Sequence, residues 1–164
     1  MDDRSIVDSW LRSLGRILGW PLNLDAQGVC TIGHASGVEC AIEVPDEGNC
    51  VVLRVPLMAW YPERHLELAV HCLKLQYLGL RTQGAVFGID EEDSELSLWQ
   101  VVPVAALDEA GFQGLVARFL DQAEYWQEAL EVFCQEAPGE AASGQQPHAA
   151  TPLPVAGGIM AGMN

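Results

Sequence analysis

The sequence predicts an α+β fold, with an antiparallel sheet packed with helices in the order helix, three strands, helix, two strands, helix. Three observations carry that prediction. Apolar residues recur at intervals of three and four in three separate stretches, which is the period of a helix with one buried side. They alternate every second residue in the stretches between, as in half-buried strands. The turns inside each group of strands are short, and short turns join only antiparallel neighbours.

The first helix spans residues 4–18. Ile6, Val7, Trp10, Leu11, Leu14, Ile17 and Leu18 cover one side, while Asp8, Ser9, Arg12, Ser13 and Arg16 cover the other. Gly19 and Pro21 end it. Strands follow at 29–34, 38–44 and 50–57. The second shows the clearest alternation, with Val38, Cys40, Ile42 and Val44 on one face and Glu39, Ala41 and Glu43 on the other. Ser36-Gly37 and the run Asp46-Glu47-Gly48-Asn49 make the two turns. Pro62 opens the middle helix, which is expected to reach Leu78 and to stop at Gly79. Two strands, 85–90 and 95–102, meet across the acidic turn Glu91-Glu92-Asp93-Ser94. Asp108 caps a last helix that extends to about residue 135. Its apolar stripe runs from Phe112 through Leu115, Phe119 and Trp126 to Phe133, and acidic residues line its outer side.

The middle helix differs from the other two because it is apolar on two sides. With Leu66 as the origin, Ala69, Val70, Leu73, Tyr77 and Leu80 fall within about 60° and form the stripe expected to pack on the sheet. Leu68, Cys72 and Leu75 form a second stripe on the far side, with Glu67, His71 and Lys74 between the two. Two apolar sides need two apolar surfaces to cover them. The sheet supplies one. The second is expected from another copy of the chain in a twofold dimer, the commonest closed assembly, or else from the last helix of the same subunit. Trp99 shares a strand face with Glu95 and Ser97, Trp60 and Tyr61 stand in a loop, and Trp20 follows the first helix. These aromatics point to exposed apolar patches, which suit a protein that holds extended apolar chains and stays soluble by charge.

That charge is large. The chain carries 23 acidic against 8 basic residues, a formal net charge of -15 over 164 residues. Such a surface repels phosphate backbones and anionic lipid, which argues against nucleic-acid or membrane-surface binding. No apolar run approaches the roughly 20 residues of a membrane span. The opening MDDRSIVDSW lacks the basic-then-apolar order of a secretory signal, so a cytoplasmic location is expected. The five cysteines, at 30, 40, 50, 72 and 134, contain no Cys-x-x-Cys and read as reduced thiols. The histidines at 34, 65, 71 and 148 have no ligand-like spacing to them, so neither a metal nor a cofactor is expected. No catalytic constellation is found: phosphate-cradling glycine loops and the Gly-x-Ser-x-Gly elbow are missing. His71 and Cys72 are adjacent, so on a helix they diverge by about 100° and cannot act as a nucleophile–base pair.

Composition shifts near Pro138. Residues 138–164 are dominated by Gly, Ala and Pro with a single charge, Glu140, and read as a disordered tail behind a domain of residues 1–137.

Two segments resemble a known family. LKLQYLGLRTQGAVFGIDEEDSELSLWQVVPVAALD (73–108) is similar to the helix end, Gly-Ala opening, acidic turn and Leu-Trp strand of the class I type III secretion chaperones, the Tir-chaperone family. LVARFLDQAEYWQEALE (115–131) resembles that family's closing helix, with Ala123, Glu124 and Trp126 matching its Ala-Glu-x-Trp segment. The first helix and VVLRVPL (51–57) match more loosely, and the likeness covers about residues 4–135. The resemblance implies a bacterial homodimer that binds the non-globular N-terminal segment of one secreted effector, without enzymatic activity. Strand addition to a sheet edge and apolar pockets would hold that segment. It implies dimer contacts at Leu68, Cys72, Leu75 and Trp99, and effector contacts at Trp10, Leu14, Ile17, Ile32 and Leu53. The chain departs from the family's pattern in its long tail and in a first strand where Gly33 and His34 stand in place of apolar residues. Two other readings compete. One is a regulatory module of the same fold that sequesters a transcription factor or another secretion component. The other is a small enzyme using the Cys72 thiol.

Overall fold

The computed structural model describes residues 2–34, 36–46 and 49–136. The expected tail lies outside the described residues. Three helices and five strands follow in the expected order: α1 (Asp3–Leu18), β1 (Val29–Gly33), β2 (Glu39–Glu43), β3 (Cys50–Ala59), α2 (Pro62–Leu75), β4 (Val86–Asp90), β5 (Glu95–Pro103) and α3 (Glu109–Glu136). Short 3-10 turns at Tyr77–Gly79 and Val104–Ala106 flank the β4–β5 hairpin.

The sheet is antiparallel with strand order β1-β2-β3-β5-β4. Residues paired across strands share a face. One face collects Cys30, Ile32, Cys40, Ile42, Val51, Leu53, Val55, Leu96, Leu98 and Phe87, all buried. The helices cover that face. α3 contributes Phe112, Leu115, Val116, Phe119, Ala123, Trp126 and Leu130 to the same core. Trp126 meets Phe87 edge-on, with ring centroids 5.3 Å apart and planes at 82°. Pro56 sits within β3, where a missing N–H would normally break a ladder. Here β2 pairs with β3 only up to Arg54, and a register shift between Pro56 and Met58 absorbs the irregularity against β5.

α1 is closed at both ends. The Ser5 N–H donates to the Asp2 carboxylate at 2.7 Å, and Gly19 takes the left-handed conformation that stops the helix (φ 87°). Gly15 lets the chain fold back tightly. A Cβ there would stand 2.5 Å from the Trp20 carbonyl oxygen. Arg4 ties the start of α1 to the sheet, donating to the carbonyls of Val44 at 3.0 Å and Gln27 at 2.8 Å and pairing with Asp46 at 2.7 Å.

The structure reverses the expected orientation of the middle helix. Leu68, Cys72 and Leu75 turn inward and are 2%, 3% and 8% exposed, while Leu66, Val70, Leu73, Tyr77 and Leu80 face outward. α2 leans on α3, where His71 stacks on Phe133 at 4.2 Å. The helix also ends earlier than the periodicity predicts. It stops at Leu75, and Leu78 adopts φ 61°, outside the helical region. Tyr77 and Leu80 therefore do not belong to the helix. Counting them as part of one stripe gave that stripe more apolar weight than the helix itself has.

Candidate functional site: three open apolar surfaces

The first surface is the outward stripe of α2. Leu66, Val70 and Leu73 follow helical spacing, with Leu73 63% exposed, and the stripe continues into Tyr77, Leu78 and Leu80. Monomeric proteins rarely expose a contiguous patch of this kind, and such patches mark interaction sites. The expected dimer residues Leu68, Cys72 and Leu75 are core residues of the subunit and cannot reach a partner. The second face of the helix exists, but it is the stripe assigned to the sheet from sequence.

The second surface is the face of the sheet that the helices leave open. Trp99 and Val101 are exposed on β5, beside half-buried Val52 and Arg54 on β3. The Trp99 indole lies over Gly88 of β4, where a Cβ would come within 2.7 Å of its Nε1. Arg54 reaches Asp90 at 3.4 Å and Asp93 at 4.0 Å, so the acidic turn holds the only basic group of this patch among the described residues. Trp99 is thus available to a partner.

The third surface lies at the end of α1. Ile17, Leu18 and Trp20 are exposed there. Next to them a hollow of about 800 Å³ is lined by Arg12, Gly15, Arg16, Trp20, Pro21 and Leu22. The residues expected to touch an effector divide sharply. Ile17 is exposed. Trp10 and Leu14 are half-buried against the core, and Trp10 packs on Phe112 at 5.5 Å. Ile32 and Leu53 are 2% and 0% exposed and cannot contact any client without unfolding the sheet. Both sit on the inner side of alternating strands, so their strand periodicity marks them as core. Trp60, an aromatic expected to stand in a loop, is also buried, and its backbone N–H donates to the Ser94 carbonyl at 2.7 Å. β1 forms one edge of the sheet, so one of its sides meets no described strand.

The Cys72 thiol, named by the competing enzyme reading, is buried, and so is that of Cys40. Burial raises the Cys72 thiol from 9.0 to about 11 and the Cys40 thiol to about 12. A thiol in that range is almost wholly protonated at neutral pH, and the thiolate is the nucleophile. Among the described residues no group of three or more His, Cys, Asp or Glu side chains is placed to hold a metal ion. No described helix is long and apolar enough to cross a membrane.

Comparison with known proteins gives a consistent picture. Residues 9–127 match the family described as the Tir chaperone protein (CesT) family. A chain of the ExsC–ExsE complex shares the fold with a TM-score of 0.63 at 23% identity, covering 79% of this chain and 97% of that one. A chain of the HopA1–SchA chaperone–effector complex gives 0.62 at 17% identity, covering 79% and 95%. A chain of the heterodimeric ExoU–SpcU complex from the type III secretion system of Pseudomonas aeruginosa gives 0.56 at 17% identity, covering 76% and 93%. At these identities the likeness is one of fold. No curated protein sequence matches the chain.

Proposed function

The chain belongs to the Tir chaperone (CesT) family, and from that premise we propose that it is a type III secretion chaperone. It binds the non-globular N-terminal segment of a secreted effector and keeps it soluble and competent for export. It works in the bacterial cytoplasm as a homodimer and has no enzymatic activity. Residues 1–137 form the working domain, and residues 138–164 are an appended tail.

The observation that supports this reading is the pairing of three open apolar surfaces with a net charge of -15. Exposed apolar surfaces of this kind mark interaction sites, and a carrier of unfolded segments needs them together with charge to remain dispersed. Each surface is given a role. The outward stripe of α2, with Trp99, forms the twofold contact. The α1 end with Ile17, Leu18 and Trp20, next to the hollow, takes apolar side chains of the client, and the β1 edge accepts its backbone.

Light scattering on the purified complex with its client tests this directly. Two copies of the chain with one client, followed by proteolysis that spares only the client's N-terminal segment, is the expected result. A client that remains folded and fully protected would favour a regulatory module of the same fold. A monomer that binds no extended segment would refute the chaperone reading.

A further inference from the structure

A cleft of about 800 Å³ lies between α2, the loop that follows it, and α3. None of the surfaces described above uses it. Its lining differs from that of the α1 hollow, where Arg12 is paired with Asp8, in that neither of its arginines has an acidic partner among the described residues. Only 8 basic residues occur in the sequence, yet two of them, Arg81 and Arg118, converge here. Among the described residues neither forms an ion pair; Arg16, Arg64 and Lys74 form none either, whereas Arg4, Arg12 and Arg54 do. Asp121 is the one acidic residue in the lining, so the cleft carries a formal charge of 2 - 1 = +1 on a molecule of -15.

Two further unmatched donors lie buried just behind the walls. Gln122 is 8% exposed and Trp126 is 4% exposed, both line the cleft, and neither Gln122 Nε2 nor Trp126 Nε1 has a hydrogen-bond partner. A buried donor left unpaired is costly, and such groups in native proteins call for an explanation. Arg118, Gln122 and Trp126 stand four residues apart along α3, so they form one row facing the cleft. Across from them the loop carries Arg81 and Gln83 on a backbone with positive φ at Leu78, Gly79, Gln83 and Gly84. Non-glycine residues are seldom held in that region, and two of these four are not glycine.

We infer that this cleft is a recognition site for one carboxylate carried on an apolar stem, as on an acidic side chain or a chain end of a bound peptide. The two arginines favour an anion, and the acidic body of the protein favours one of low charge. Arginine guanidinium forks match carboxylate geometry. Tyr125 and Trp126 supply an aromatic wall for the stem. The inference is independent of the effector-chaperone reading, since it needs neither the dimer nor the α1 surface.

Nuclear magnetic resonance on the full chain tests it, with the Trp126 indole N–H as reporter, assigned through Trp126→Phe. The probes are N-acetylphenylalanine for a chain-end carboxylate, N-acetylglutamic acid amide for a side-chain carboxylate, N-acetylphenylalaninamide as the uncharged control, and inorganic phosphate. One or both acids should shift the reporter saturably, and which of them does so identifies the source of the carboxylate. Arg81→Met and Arg118→Met should each weaken that binding at least about tenfold while leaving the fold intact. Equal binding of the uncharged amide, preference for phosphate, unchanged affinity in both arginine variants, or no shift by about 20 mM acid would each overturn the inference.

Discussion

α1 and α2 are of similar length, 16 and 14 residues, and both pack on α3, yet they are held in different ways. α1 is apolar on one side, is capped by Asp2, and is stitched to the loop behind it where the Leu24 N–H donates to Asp8 at 2.9 Å. Its sequence dictates both its limits and its orientation. α2 has Tyr61 at its N-cap with no side-chain hydrogen bond, a non-helical His65 (φ -119°) in its first turn, and apolar residues on both sides. Nothing local chooses which side goes in. The choice comes from α3, which presents Phe133 to His71 and receives Leu68, Cys72 and Leu75. A helix with one apolar side carries its own address, whereas a helix with two takes its address from its neighbour.

The largest effect should come from placing a charge on the inward side. Leu68→Asp would bury an unpaired carboxylate and remove packing, a loss of at least about 4 kcal/mol against the roughly 5–15 kcal/mol that holds an ordinary domain. Urea denaturation followed by circular dichroism should show the midpoint shifted far down or lost altogether. Leu73→Asp is the matching change on the outward side. It should leave the circular dichroism spectrum intact and alter subunit stability by less than about 0.5 kcal/mol. The same variant should halve the mass seen by light scattering, because a charge facing its own copy across a twofold axis is desolvated and repelled. A dimeric Leu73→Asp would remove α2 from the interface.

These two variants also show how much of the molecule was legible beforehand. Element order, the antiparallel sheet and the buried stripe of α3 could be read because each rests on a single period with one apolar side. The existence of two sides on α2 was legible for the same reason. Which one was open was not, since the stripe was weighted by Tyr77 and Leu80, residues beyond the real end of the helix. Ile32 and Leu53 were misassigned for a different reason. A buried strand residue and a client-binding one have the same alternation, and only the position of the covering helices separates them. The cleft with Arg81 and Arg118 left no sequence signal, because its two arginines lie 37 positions apart and meet only through the packing of α3 against the loop after α2.

Cysteine chemistry sharpens the comparison further. Cys72 marks the inward side of α2, and Cys134 near the end of α3 is exposed. Burial raises the Cys134 thiol too, but it is exposed, so a thiol-specific reagent at neutral pH should modify Cys134 before Cys72, which should react only on unfolding. Raising the Cys72 thiol from 9.0 to about 11 alone lowers its thiolate population by roughly a hundredfold. The same shifts set an alkaline limit on stability. Below pH 9 the folded and unfolded thiols are both protonated and contribute no pH dependence. Above it the unfolded chain loses protons first, so stability should fall as pH rises from about 9 through about 11 for Cys72 and about 12 for Cys40. Denaturation midpoints at pH 7, 9 and 10.5 would show the decline. Cys72→Ala should reduce its slope if the sulfur is buried as described.

The smallest effect concerns caps. The Gly111 N–H donates to the Asp108 carboxylate at 2.7 Å, which closes the first turn of α3. Asp108→Ala should therefore cost about 1 kcal/mol, visible as a modest drop in the urea midpoint with an unchanged slope. No comparable substitution exists at the start of α2, because Tyr61 contributes no cap to lose. Its first turn is instead held by the Tyr61 N–H donating to His65 Nδ1 at 3.2 Å and by ring contacts of His65 with Trp60 and Tyr61. Amide hydrogen exchange should then rank the first turn of α2 as the fastest of the three helix starts, with α3 the slowest. Asp108→Ala should narrow that gap from the α3 side. If α2 proved as protected as α3 in a variant that cannot dimerise, its position would be fixed by the subunit alone, and the outward stripe would no longer be needed to explain how the helix is held.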